Sequence, residues 1–170
     1  LYKNNIPVKL EVNTVIRGTV YKVQQRGLCD AAVKRFRKNA EMNVLSTADL
    51  YGGKICAALD RQHPRDLFDI KLLLDNEGLT DEIRTAFIAY LISHNRPMHE
   101  LLAPNFRDIA PVYETEFIGM TRFEISLKDL KNARRTLVER ITSDLTDDER
   151  AFLLSFKQMR PEWEMLSVEA

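Results

Sequence analysis

The chain's patterning predicts an α+β fold in which a small N-terminal β portion is followed by a predominantly helical bundle. Three observations lead there. Val8-Lys9-Leu10-Glu11-Val12-Asn13 alternates apolar and polar residues, the period of a half-buried strand. From Ser46 onward apolar residues recur at three- and four-residue spacing behind helix-start signals. Only six glycines and six prolines occur, and several sit where one periodic segment gives way to the next. The division falls at residue 45: a sheet region over 1–45 and a helical region over 46–170.

Taken in order, strands are expected over about 7–16 and 19–25, then a basic helical or loop segment over 28–40. In the first strand Val8, Leu10 and Val12 share one face, so Glu11 points to the other. Helices are expected over 47–61, 65–76, 80–94, 97–102, a segment near 105–116, 127–143 and 147–157. Ser46 with Asp49, Thr80 with Ile83, Ser126 before Leu127, and Thr146 with Glu149 each supply an N-terminal signal. Pro64 interrupts the first helix and suits the first turn of the second, because it has no N–H to offer. Leu67, Ile70, Leu73 and Leu74 make the second helix's buried stripe, and Asn95-Arg96-Pro97 closes a later helix. Arg134-Arg135 and Asp147-Asp148-Glu149 read as solvated faces, and Trp163 with Met159 and Met165 as packing for the C-terminal tail.

At 170 residues the chain has one domain's worth of core and needs no staples. Cys29 and Cys56 show neither C-x-x-C nor zinc spacing, so reduced thiols in the cytoplasm are expected. No apolar run approaches membrane length and no signal-peptide pattern is visible, so no membrane partner is expected. The net charge of zero conceals an asymmetry: residues 1–40 carry nine basic side chains against Glu11 and Asp30, and the remainder is correspondingly acidic. That acidic remainder argues against a general nucleic-acid coat. The densest cluster, Lys34-Arg35-Phe36-Arg37-Lys38, suits either an RNA backbone or a plain solvated segment.

The chemistry concentrates in Lys54-Ile-Cys-Ala-Ala-Leu-Asp-Arg61-Gln-His-Pro-Arg65-Asp66-Leu-Phe-Asp69. Lys54 lies among Ile55, Ala57, Ala58 and Leu59, where a long cation needs an acidic or anionic partner. Lys54 and Arg61, about two turns apart, share a face of the first helix; Asp66 and Asp69 share a face of the second. An antiparallel helix pair would bring those faces together. Spacing alone leaves two readings: a structural ion-pair network pinning a corner, or charged groups held for chemistry. His63 is expected to cap the second helix or orient Arg65, and His94 and His99 to have structural roles at helix ends.

The pattern K-x6-R-x3-R-D-x2-D formed by Lys54, Arg61, Arg65, Asp66 and Asp69 resembles the third motif of the AbiEii/AbiGii-type nucleotidyltransferase toxins of bacterial toxin–antitoxin and phage-defence (abortive infection) operons. Arg96-Pro-Met-His-Glu-Leu-Leu-Ala-Pro104 resembles the family's R-P-x-H-E-L-L segment. Thr146 to Phe156, with Pro161-Glu-Trp163, resembles its C-terminal helix and tail, and Leu10-Glu11-Val12 its second motif. The matches run in the family's order over most of the chain.

The resemblance implies that the sheet region completes a nucleotidyltransferase-like mixed sheet begun upstream. It also implies transfer of a nucleotidyl group from a nucleoside triphosphate, with Mg2+, onto an RNA acceptor such as tRNA, and a cognate antitoxin partner. By the same resemblance Glu11 is the metal ligand and Lys54 neutralises triphosphate charge, with Arg61 and Arg65 as secondary phosphate contacts. Asp66 and Asp69 orient these cations, and one of them is a candidate base toward the acceptor. The family's first motif, a Gly-Gly or Gly-Ser turn followed by two strand carboxylates at i and i+2, is not found. Gly52-Gly53 ahead of Asp66 and Asp69 does not replace it, because those carboxylates stand three apart on a helix. Nor does Tyr51-Gly-Gly-Lys54 satisfy the G-x4-G-K-[ST] phosphate loop. The motif is expected before Leu1, which would make the chain the C-terminal majority of a family member. The alternative is a catalytically inactive module that binds an antitoxin or a nucleotide.

Overall fold

Short polar side chains at helix entrances set the frame of the molecule. A computed structural model describes residues 18–166 together with the backbone of two short strands, β1 (Tyr2–Lys3) and β2 (Ile6–Pro7). Ser46, His63, Thr80, Ser126 and Thr146 each accept a backbone N–H of the first helical turn through the side chain. Behind them lie α2 (Thr47–Arg61), α3 (Pro64–Asp75), α4 (Asp81–Ile92), α7 (Leu127–Asp144) and α8 (Asp147–Lys157). Ser126/Asp129 and Thr146/Glu149 complete reciprocal capping boxes. The shorter α5 (Met98–Leu102) and α6 (Ala110–Glu116) bridge α4 to α7, and a 3-10 turn, Trp163–Met165, follows α8.

The core is helical. α2 packs on both α3 and α4, and α3 packs on α7. Ile55, Leu59, Leu67, Ile70, Leu73, Phe87, Ile88, Leu91, Leu130, Leu137 and Phe152 are all fully buried between these helices. Leu50, by contrast, lies on the exposed side of α2. Gly52 explains how closely α2 approaches α4. A Cβ at that position would stand 2.9 Å from both Ala86 C and Phe87 N, nearer than side-chain atoms come to backbone. Trp163 packs its ring on Phe152 and Phe156, closing the end of α8, while Met159 stays in solvent.

The β portion precedes the helices in the chain. Among the described residues it consists of two antiparallel ribbons, β1–β2 and the pair β3 (Gln24–Gly27) with β4 (Glu41–Val44), in register Gln24↔Val44 through Gly27↔Glu41. Helix α1 (Asp30–Phe36) spans the connection, inside the predicted basic segment. The predicted strand over 7–16, with Val8, Leu10, Glu11 and Val12, lies outside the described residues beyond Pro7.

The strand expected over 19–25 begins only at Gln24. Upstream, the N–H groups of Val20 and Tyr21 donate to Asp49 Oδ1 and Oδ2, at 2.8 and 3.1 Å, rather than to a ladder. β4 was not predicted, because Glu41-Met-Asn-Val44 is almost wholly exposed and shows no apolar alternation. The helix expected near 105–116 starts at Ala110, since backbone groups of Asn105 and Arg107 bond side chains of α2 and α7 instead.

Two runs read as solvated are corrected. Glu149 is buried, and both of its carboxylate oxygens accept from Arg84 Nε, at 2.9 and 2.8 Å, joining the starts of α4 and α8. Arg134 is 5% exposed and sits under the Phe106 ring. Neither pairing is visible locally, because the partners stand far apart in the chain.

Candidate functional site

The α2–α3 corner gathers the predicted charges. Helix α2 ends on Gln62, whose left-handed backbone (φ 53°) turns the chain, and His63-Pro64 starts α3 at once. The two helices run back along each other, and the charged faces meet as their spacing requires. Lys54 Nζ forms a short ion pair with Asp69 Oδ2, and both side chains are about one-third exposed. Nearer the turn, Arg61 grips Asp66 with two bonds, Nε to Oδ2 at 3.1 Å and Nη2 to Oδ1 at 2.7 Å. Asp66 is largely covered while Arg61 reaches into solvent. The motif thus forms two cation–carboxylate pairs, one mid-helix and one at the corner.

Arg65 does not join either pair. Its guanidinium stands 4.0 Å from Glu116 of α6, which also meets His63 Nε2 at 3.1 Å. His63 Nδ1 accepts the Arg65 N–H, so Nε2 carries the hydrogen donated to Glu116. His63 therefore caps α3, as its place before Pro64 predicted, and ties the corner to α6. His94 likewise turns its Nδ1 to the Arg96 N–H, and His99 is exposed on α5.

Several residues around the site have partners that the sequence does not show. Tyr51, one turn before Lys54, has its phenol pKa raised by burial and by the charges of Glu77 and Asp69. Arg96 reaches across to Asp60 Oδ1 at 2.7 Å and to Glu100 at 2.9 Å, fixing the R-P-x-H-E-L-L segment to α2. Asp49 is the most heavily bonded carboxylate, taking Val20 N, Tyr21 N, Tyr90 Oη at 2.7 Å and Ser46 Oγ at 2.7 Å. Burial alone would raise its pKa, but these bonds outweigh burial and hold it below the ordinary value. Burial, and then the bond to Asp49, raise the Tyr90 phenol. Burial and the nearby Asp60 charge push the Cys56 thiol up to about 12, so it is packing rather than a nucleophile. Gln62 was hidden between its charged neighbours, and its role appears only with the distant Asn105, Arg107 and Arg134.

Lys34, Arg35, Arg37 and Lys38 lie elsewhere, on and just after α1, all exposed. Among the described residues none of the four makes an ion pair. Phe36 stands among them, 65% exposed. Glu11 lies outside the described residues. Among the described residues no group of three or more His, Cys, Asp or Glu side chains could hold a metal ion. No helix there is long and apolar enough to cross a membrane.

A family model described as nucleotidyl transferase AbiEii toxin, type IV TA system, matches residues 1–168. No curated protein and no solved structure matches the chain.

Proposed function

Since the chain belongs to the AbiEii nucleotidyl transferase toxin family of type IV toxin–antitoxin systems, we propose that it serves transfer of a nucleotidyl group from a nucleoside triphosphate to an RNA acceptor such as tRNA. Membership also implies an antitoxin partner. The observation that carries the reading is the Lys54–Asp69 pair: a half-buried cation whose carboxylate partner leaves it open to solvent on one side. In this role Lys54 meets the negative charge of the triphosphate, and Asp69 holds the ammonium on station beforehand. Arg61, fixed bidentately by Asp66, offers its remaining N–H groups to phosphate, and Arg65 is a further contact at the same corner. Asp66, largely covered and engaged by Arg61, is an orienting group; Asp69 is the more accessible candidate for taking the acceptor's proton.

Magnesium is the ion the family implies, and Glu11 its candidate ligand. The described residues do not by themselves supply a metal centre. The roles above belong to the chain's own cations and carboxylates. The exposed basic run Lys34, Arg35, Arg37 and Lys38 suits the phosphate backbone of the acceptor. Radiolabelled nucleoside triphosphates, given to the full-length protein with magnesium and bulk tRNA, test the reading. Label on RNA is expected. Triphosphate binding with no label on any RNA would instead favour the inactive binding module.

A further inference from the structure

Beside the Lys54 motif a second feature takes shape around Gln62. Its Nε2 donates to Asn105 O at 2.9 Å, and its Oε1 accepts from Arg107 N at 3.1 Å. Arg134 Nη1 donates both to that same Oε1 and to Arg107 O, each at 2.9 Å. Three backbone groups on either side of Phe106 are therefore pinned to the corner where α2 turns into α3. The ring they hold is 47% exposed, and the Arg134 guanidinium lies 4.4 Å behind its centroid.

Packing alone explains this poorly. Arg134 is almost completely buried, burial lowers its pKa, and no carboxylate bonds it among the described residues. Its Nε is a buried donor with no acceptor there. A buried cation under an aromatic ring, bonded by no carboxylate and offset only by the charge of the exposed Asp108, is costly to retain merely as filler. It does, however, stiffen the ring from behind and leave much of the ring open to solvent. Arg107, exposed, flanks the ring, and Arg61 immediately precedes Gln62. The acids nearby are already engaged: Asp108 lies 3.9 Å from Lys131, and Glu116 meets His63 and Arg65.

From this arrangement we infer that Phe106 is a stacking platform for an unpaired nucleobase, whose phosphate lies toward Arg107 and Arg61. The base belongs either to the RNA acceptor or to the nucleoside triphosphate, and the inference rests on the nucleotidyl-transfer reading above. A rigid aromatic face with flanking cations suits bases without regard to sequence, because every base has a π-face. The position adjoining the Arg61–Asp66 pair puts such a base next to the proposed phosphate contacts.

Binding, read without turnover, tests this independently of transfer. In a Phe106→Trp variant the new indole reports directly, against the background of Trp163 in the wild-type protein. Single-stranded oligoadenylate, a blunt RNA duplex and ATP are titrated in turn at low salt. Quenching by the single strand assigns the platform to the acceptor, and quenching by ATP alone assigns it to the triphosphate. The blunt duplex should quench little. Phe106→Leu keeps a cover over Arg134 but cannot stack, so it should weaken the quenching ligand about tenfold or more. Arg107→Ala should lower the salt dependence of binding by about one charge. No quenching by either single strand or ATP, or unchanged affinity in Phe106→Leu, overturns the inference. If base binding is found but no label reaches RNA, the platform stands as a binding site and the transfer reading alone fails.

Discussion

The α2–α3 corner and the arm formed by β3, α1 and β4 both carry several cations, yet they handle them in opposite ways. At the corner Lys54 and Arg61 have dedicated carboxylates, and the chain around them is fixed by His63, Gln62 and Arg134. On the arm Lys34, Arg35, Arg37 and Lys38 stand in solvent without ion pairs among the described residues, on a helix with no buried residue. Paired, half-buried cations keep one geometry, as a reacting phosphate requires. Unpaired exposed cations hold counterions instead, and release them to any polyanion of roughly suitable shape. On the proposed function, the contrast separates positioning for chemistry from electrostatic capture.

If this division is sound, breaking a buried contact of the helical body should cost stability and changing the arm should not. The largest loss is expected from Glu149→Ala, which strands Arg84 in a buried position. About 3 kcal/mol is expected, the low end for a broken buried pair, because Asp81 still bonds Arg84. Chemical denaturation measures it. Gly52→Ala should cost about 1–3 kcal/mol, since the added methyl meets the backbone of Ala86 and Phe87. The same measurement on Gly53→Ala, where nothing lies within 4 Å, should show little loss or a gain.

A smaller, pH-dependent effect is expected at Asp49. Its folded pKa is depressed, so its contribution is present above the ordinary value of 3.8 and is lost as pH falls through the lower folded value. Denaturation midpoints of Asp49→Asn should therefore lie below wild type at neutral pH and converge with it in acid. Least affected should be an arm variant with Lys34, Arg35, Arg37 and Lys38 all changed to alanine. Stability should move by no more than about 0.5 kcal/mol, whereas RNA affinity and its salt slope should fall. An arm variant that unfolds the protein, or one that binds RNA with an unchanged slope, would dissolve the contrast.

What the sequence made legible was local. Ser46, Thr80, Ser126 and Thr146 announced their helices because a cap and its target lie three residues apart. The meeting of the Lys54–Arg61 face with the Asp66–Asp69 face was readable because both helices carry their charges on one face and a proline joins them; which cation takes which carboxylate was not. Glu149, Arg134 and Gln62 were not, since their partners lie 27 to 72 residues away and nothing in their own neighbourhoods marks them as buried. Asp49 was half legible. Its cap to Ser46 followed from spacing, but its hold on Val20, Tyr21 and Tyr90 depends on how α2 and α4 stack. The exposed ribbon β3–β4 escaped because it buries nothing, and so leaves no alternation to read.

On the proposed function Lys54 serves the triphosphate rather than only bracing the corner. Lys54→Met in the full-length protein separates these, with label transfer to tRNA and thermal midpoint measured on the same sample. A fall in labelling of about a hundredfold or more is the predicted result, with the midpoint little changed because the pair is about one-third exposed. Wild-type labelling by Lys54→Met would contradict it and leave the motif a structural ion-pair network.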